Sequence, residues 1–281
     1  MIDVSVIICT YKRSKWLNNL LISLENQSFS PKEVIIVDAS DKYINYKIPK
    51  KLNVKIIKSN IMALTHQRNL GVKESEGNII LMLDDDVELE KDFIEKIIES
   101  FKNDNKNKIG AISGYDMHGW GNNKSDINYV LKFAKILGLY DGNFEPGSIS
   151  RSGICIELNM LKPFEGLKKV DFYSGCSTAI RSEVYKKFMH PEQINKYGGE
   201  DKVFSAMISK YWDIYICGDA KLKHYTAPGG ARQGSYENAV NIVRFNTFLH
   251  KIFNKKDNYF QLKTYFIYLA FVNFLFSIYV L

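Results

Sequence analysis

Three adjacent aspartates, Asp84, Asp85 and Asp86, follow directly on the apolar run Ile79 to Leu83. Adjacent carboxylates repel one another unless a cation gathers them. On an extended segment, side chains two residues apart point the same way, so Asp84 and Asp86 share a side and Asp85 faces the other. A small set of hard oxygen ligands suits Mg2+ or Mn2+, which keep positions open for substrate phosphates. The pattern therefore reads as a diphosphate site. An acidic turn capping the next helix would use the same residue types; the place of the triplet at a strand end favours the ligand role.

The remaining chemistry-bearing residues are scattered. Neither a glycine-rich loop ending in Gly-Lys-Ser/Thr nor a GxGxxG turn is present, and Thr10-Tyr11-Lys12-Arg13 stands after the first apolar run instead. Phosphate chemistry would then fall to a metal. Asp38 ends the second run, where a carboxylate can accept hydrogen bonds from a base or ribose. Glu200 and Asp201 precede Val203, Met207 and Ile208. As first-turn helix carboxylates they would contribute a few tenths to about 1 kcal/mol each. Lys223-His224-Tyr225 leads to Gly229, Gly230 and Arg232. Two glycines let backbone approach an anion, and Arg232 would add a cation there. Taken alone, His224 is more often a packed or solvated residue than a ligand.

The elements that must position these residues alternate. Val4 to Cys9, Val34 to Val37, Val54 to Ile57, Ile79 to Leu83 and Ile109 to Ser113 are short β-branched or apolar runs of the type found in strands buried on both faces. A further strand is predicted over Ile214 to Cys217. Ser14 is placed to cap a helix with Leu17, Leu20, Leu21 and Leu24 at helical spacing, and Asp92 to Phe101 repeats the pattern. Strand and helix in alternation predict an α/β fold with a doubly wound, mostly parallel sheet. In such sheets ligands gather beyond the carboxyl ends of the strands, where strand order switches.

The composition fits this class. The chain has 281 residues, 46% hydrophobic and 25% charged, which excludes a disordered chain or a disulfide-stapled miniprotein. A net charge of +7 without a long basic run gives no indication of nucleic acid as a partner. Cys9, Cys155, Cys176 and Cys217 lie far apart, with neither zinc spacing nor a disulfide framework, which suggests a reducing compartment. The first residues lack a basic flank and read as a strand, not a signal peptide, so a cytoplasmic location is expected.

Val4-Ser5-Val6-Ile7-Ile8-Cys9-Thr10-Tyr11-Lys12-Arg13, Ile36-Val37-Asp38, Arg68-Asn69-Leu70-Gly71, Asp84-Asp85-Asp86 and Gly198-Gly199-Glu200-Asp201 occur in that order. In this the chain resembles the family 2 glycosyltransferases, over about residues 1–250. The resemblance implies a glycosyltransferase A fold, a nucleotide-diphosphate sugar as donor, Mn2+ or Mg2+ as cofactor, and inversion at the anomeric carbon. It implies that Thr10, Tyr11 and Arg13 line the nucleotide pocket and that Asp38 meets the base. Arg68, on its own a surface cation of a helix, would approach the diphosphate or the base. Asp84 would contact the ribose or a metal-bound water, Asp85 would belong to the donor-binding loop, and Asp86 would ligate the metal directly, with His224 completing its shell. Tyr173 to Arg181 is similar to the segment that closes the far wall of the donor sugar pocket. Asp201 would be the base beside the acceptor hydroxyl, and Glu200 would orient the acceptor or Asp201 itself. Arg232 would assist the leaving group together with the metal.

These readings divide the chain into a catalytic domain over 1–230, with a nucleotide-binding half (1–113) and an acceptor half (114–230). A basic amphipathic helical segment (231–258) and a hydrophobic aromatic tail (259–281) follow. Within 114–170 no motif is recognised; Gly119-Trp120-Gly121 with Tyr129, Phe133 and Tyr140 could form an acceptor lip or simply core. Thr264 to Leu281 holds no charged residue and is preceded by Lys251, Lys255, Lys256 and Lys263 against Asp257. Basic residues flanking an apolar stretch prefer the cytoplasmic side, so this tail is expected to seat the domain on a membrane at its cytoplasmic face, with a buried oligomer interface as the competing use. Three functions stay open at this level. They are a sugar transferase acting on a glycan or lipid-linked acceptor, a polyprenyl-phosphate sugar synthase, and a non-catalytic nucleotide-sugar-binding protein.

Overall fold

The structure, a computed structural model, describes residues 2–42, 46–119, 136, 145–150, 155–194, 199–228, 245, 247–249, 251–252 and 267. Nine strands form one sheet among these residues. They are β1 (Val4–Thr10), β2 (Glu33–Asp38), β3 (Val54–Lys58), β4 (Ile79–Asp84), β5 (Val87–Leu89), β6 (Ile109–Asp116), β7 (Leu167–Val170), β8 (Ser177–Arg181) and β9 (Asp213–His224). The helices used below are α1 (Ser14–Glu25), α2 (Leu64–Lys73), α3 (Phe93–Lys102), α4 (Ser182–Lys187) and α5 (Glu200–Ile208).

The strand order is β3-β2-β1-β4-β8-β6-β9-β5, with β7 paired to β9. β1 runs parallel to both β2 and β4, and its register sets Thr10 beside Asp38 and Cys9 beside Asp84. Strand order therefore switches at β1, and the loops leaving β1 and β4 open the crevice where an α/β sheet collects ligands. The expectation of a mostly parallel sheet holds for β3-β2-β1-β4. It does not hold beyond, where β8 is antiparallel to both β4 and β6 and β9 is antiparallel to β5 and β7 while parallel to β6.

Helices cover both faces. Leu17, Leu20, Leu21 and Leu24 of α1 and Ile94, Ile97 and Ile98 of α3 pack with Val4, Val6 and Ile8. Phe204 and Ile208 of α5 join Ile7, Ile35, Val37, Ile80 and Met82 on the other side. Each such side chain contributes about 1.5–3 kcal/mol by leaving water. The alternation of β1 thus feeds two cores, and the strand is nearly all buried. β3 differs from the expectation of a strand covered on both faces: as an edge strand it leaves Ile56 46% exposed. Ser14 is the first residue of α1, not its cap; the N-cap position falls on Arg13, without a side-chain capping bond. Among the described residues no helix is long and apolar enough to cross a membrane. The expected tail at 259–281 lies, apart from Ile267, outside the described residues, as do Trp120, Gly121, Tyr129, Phe133 and Tyr140.

Candidate active site

The triplet behaves as its alternation requires. β4 ends at Asp84, and the turn to β5 carries Asp85 and Asp86. Asp84, Asp86 and His224 each offer a ligand atom, and these atoms lie within 4.8 Å of one another. His224 Nε2 stands 3.2 Å from Asp86 Oδ1 and 3.9 Å from Asp84 Oδ2. The sheet makes this meeting: β5 pairs antiparallel with the end of β9, in a register that sets Val87 beside His224. Backbone completes it, since Ala227 N donates to Asp86 Oδ2 at 2.7 Å and Tyr225 N to Asp86 O at 3.1 Å. Asp116, at the end of β6, accepts the His224 N–H at 3.1 Å. The supports leave Asp86 Oδ1 facing the imidazole.

Two carboxylates and one imidazole form a donor set suited to Mn2+ and, through the oxygens, to Mg2+. The electrostatics agree. Burial disfavours the His224 cation, but its hydrogen bond with Asp86 prevails and raises its pKa to about 11. A proton shared there stands where a divalent cation would compete for the same atoms. Asp86 is held below the usual carboxylate range against the effect of its burial, chiefly by His224. Burial raises Asp84 in spite of Arg68.

Asp85 points away from this cluster. Its Oδ2 accepts from Thr10 Oγ1 at 2.7 Å and its Oδ1 pairs with Arg13 Nη1 at 2.8 Å. Arg13 also lies 3.3 Å from Asp86 and donates to Ala227 O. Thr10 and Arg13, assigned to the nucleotide pocket from the sequence, thus meet the inward side of the acidic loop. Tyr11 reaches Asp41 at 3.4 Å on the surface. Asp38 is buried, its Oδ1 accepts the Ser40 N–H at 2.8 Å, and Lys58 Nζ lies 3.8 Å from Oδ2. Arg232, Gly229 and Gly230 lie outside the described residues.

Arg68 is not a surface cation. It is 3% exposed, with Nη1 3.1 Å from Glu200 Oε1, Nη2 donating to Gly175 O at 3.0 Å and lying 3.6 Å from Asp84 Oδ1. One guanidinium thereby joins the metal-type cluster to the acid pair. Glu200 and Asp201 occupy the first turn of α5, entered through Gly199 at φ 89°, a left-handed conformation that favours glycine. A Cβ there would stand 2.6 Å from the Phe245 ring. Asp201 Oδ2 accepts the Gly175 N–H at 3.2 Å and Oδ1 that of Lys202 at 2.8 Å. The Gly175 peptide therefore sits between Arg68 and Asp201. Cys176 O of the same turn accepts the Asp84 N–H at 3.0 Å. Burial, reinforced by the charge of Glu200, lifts the Asp201 carboxyl to about 6. A carboxylate poised near neutrality can take a proton and is a base candidate on geometry and on pKa together.

The backbone donor at Ala227 and the carboxylate of Asp116 carry no motif of their own, whereas Gly175 falls within the Tyr173 to Arg181 segment named from the sequence. Only its place at the end of β6 could have flagged Asp116.

An α/β sheet with an acidic metal-type cluster beyond its switch point, facing a buried carboxylate pair, defines the class of the glycosyltransferase A domains. The profile of glycosyl transferase family 2 matches residues 5–189, and the chain belongs to that family, within the glycosyltransferase enzymes. It is similar to an uncharacterized glycosyltransferase of Haemophilus influenzae, 32% identical over 189 residues, covering 64% of this chain and 58% of that protein. It also matches the poly(ribitol-phosphate) β-N-acetylglucosaminyltransferase TarS of Staphylococcus aureus, 34% identical over 104 residues, 34% of this chain and 18% of TarS. The cholesterol galactosyltransferase of Borreliella burgdorferi is 28% identical over 115 residues, and the match spans 38% of this chain and 31% of that protein. The chain thus spans well under half of these last two relatives. Two solved structures share the fold. TarS with UDP-GlcNAc has a TM-score of 0.56 at 17% identity, covering 88% of this chain and 66% of that one. GalNAc-T7 with UDP, GalNAc and Mn2+ has a TM-score of 0.59 at 15% identity, covering 87% and 48%.

Proposed function

We propose that the chain is an inverting, divalent-cation-dependent glycosyltransferase that moves a sugar from a nucleotide-diphosphate donor to a hydroxyl group of a glycan or lipid-linked acceptor. The observation that carries this reading is the convergence of Asp84, Asp86 and His224 within 4.8 Å at the ends of β4 and β9. The Arg68 link from Asp84 to Glu200 joins that cluster to the acid pair.

In this reading Asp84, Asp86 and His224 hold Mn2+ or Mg2+, which when bound neutralises charge on the departing diphosphate. The chain's own groups do the rest. Asp38, at the end of β2, accepts from the base or ribose. Asp201 takes the proton of the acceptor hydroxyl, the freed oxygen pair bonds to the anomeric carbon, and the bond from that carbon to the diphosphate breaks with its electrons on the nucleotide diphosphate. Attack from the face opposite the leaving group inverts the centre. Glu200, fixed by Arg68, keeps Asp201 basic enough to act near neutral pH. Residues 251–281 support a seat at the cytoplasmic face of a membrane by their sequence alone; recovery of the intact chain in a salt-washed soluble fraction would remove it. A lipid-linked acceptor has support from a relative in Haloferax volcanii named as a glucosyl-dolichyl phosphate glucuronosyltransferase, 24% identical over 148 residues, 50% of this chain and 46% of that protein.

The test is a screen of donor hydrolysis and transfer with UDP, GDP and dTDP sugars in the presence of manganese. Asp201→Asn should lower transfer by about 10²-fold or more while donor binding persists. Unchanged turnover in that variant removes the base assignment, and would point to an already ionised phosphate acceptor.

A further inference from the structure

α2 turns a polar face toward both the acid pair and the stretch His190 to Glu192. From that face Arg68 holds Glu200, as described above. The adjacent Asn69, only 4% exposed, makes three hydrogen bonds: Nδ2 donates to His190 O at 2.9 Å and to Glu192 Oε1 at 3.0 Å, and Oδ1 accepts the His190 N–H at 2.9 Å. A carboxamide both donates to and accepts from one residue's backbone, so it pairs with His190 as a neighbouring strand would; a carboxylate or an aliphatic side chain cannot. His66, on the preceding turn, stands 3.2 Å from Glu192 Oε2 and supports the same contact. The clasped residue in turn touches the helix of the acid pair, because the His190 ring stacks on Phe204 of α5 with centroids 4.2 Å apart. His190 is 2% exposed and Phe204 fully buried, so the stack is fixed. Asn69 thus acts on α5 through the His190–Phe204 packing.

We propose that Asn69 is a positioning residue for the transfer step, which by clasping His190 and Glu192 sets the place of the first turn of α5 and hence of Asp201. This rests on the reading of Asp201 as the acceptor base. Asn69 touches none of Asp84, Asp86 and His224 by any bond described, so its loss should spare the donor side.

The experiment uses the full chain as wild type, Asn69→Ala and Glu192→Ala. Glu192, whose side chain is 49% exposed, tolerates truncation and carries the test if Asn69→Ala does not fold. With whichever of the UDP, GDP or dTDP sugars the wild type hydrolyses, kcat for transfer should fall about tenfold or more in Asn69→Ala, since small misplacements of a reacting group are costly. In Glu192→Ala the fall should be about two- to fivefold, the size of one lost hydrogen bond. Donor KM should stay within about twofold in both, because the affected step is transfer and not binding. Independently of activity, backbone hydrogen exchange at residues 190–194 and 199–203 should quicken in the variants while β1 and β4 keep wild-type rates. Unaltered exchange there, a kcat within about twofold of wild type in the folded variants, or a donor KM that rises by the factor kcat falls would overturn the proposal. A wild type that hydrolyses no donor would instead count against the proposed function, and the exchange result would still decide whether Asn69 holds α5.

Discussion

Arg68 and Glu200 form a buried ion pair, 3.1 Å from Nη1 to Oε1, with the two side chains only 4% and 10% exposed. Desolvation of both charges is costly, and their attraction offsets it only while both are present. Glu200 is the partner that would be stranded. Arg68→Met should therefore cost about 3–5 kcal/mol of unfolding free energy by urea titration. A loss below about 1 kcal/mol, the range of exposed pairs, would contradict the buried bridge.

Asp85 tests the division of labour within the triplet. Its oxygens serve Thr10 and Arg13, so Asp85→Ala leaves a buried hydroxyl without that acceptor and a guanidinium short of one carboxylate. Stability should fall by about 2–4 kcal/mol, as expected for lost charge-assisted bonds. Manganese should still bind with wild-type stoichiometry in calorimetry. A variant that kept full stability and lost manganese would place Asp85 among the ligands.

The pH dependence follows from Asp201. Its folded pKa of about 6 lies above the ordinary carboxylate value, mainly through burial and secondarily through Glu200. Stability associated with the protonated form is fully present below the unfolded value and is lost as pH rises through about 6. The rate runs the opposite way, because a base must be ionised; transfer should rise with pH and reach half its plateau near 6. Glu200→Gln removes the neighbouring charge and should move that midpoint to lower pH without restoring an ordinary carboxylate, since burial remains. A midpoint that does not move, read from kcat/KM profiles of the two proteins, would remove the coupling.

Much of this arrangement was legible in the sequence, and the failures have physical causes. β1, β2 and β4 announce themselves as β-branched runs because parallel strands covered on both faces need apolar residues at every position. The aspartate triplet was legible as two-sided from alternation alone, and Glu200 and Asp201 do open a helix. β7 and β8 were not legible. Leu167–Val170 contains two lysines and Ser177–Arg181 is half polar, so neither shows an apolar run. β9 extends well past Cys217: Gly218 and Asp219 interrupt the hydrophobic pattern at a shift in register, after which pairing with β6 resumes at Lys221. The largest misreading in isolation concerns α2, which buries Thr65, Gln67, Arg68 and Asn69. Hydrophobic periodicity cannot flag a helix whose inward face is polar, since the partners of Arg68 and Asn69 include Gly175, His190 and Glu200, more than a hundred positions away.

Gly199 is a further point of control. Alanine there must adopt φ near 89° and place Cβ 2.6 Å from the Phe245 ring. Backbone strain alone costs about 1–3 kcal/mol. Gly199→Ala should therefore lower both stability and kcat, the latter because Asp201 shifts with the start of α5. Steady-state kinetics beside thermal unfolding checks this, and a fully active, fully stable variant would contradict it.

The most direct measurement is calorimetric titration of UDP, GDP and dTDP into the full chain with and without manganese, repeated for Asp86→Ala. The cluster of Asp84, Asp86 and His224 predicts that one nucleotide binds only with manganese and that Asp86→Ala abolishes this while remaining folded. Binding that ignores manganese, or that survives Asp86→Ala unchanged, would show that the cluster does not hold the donor.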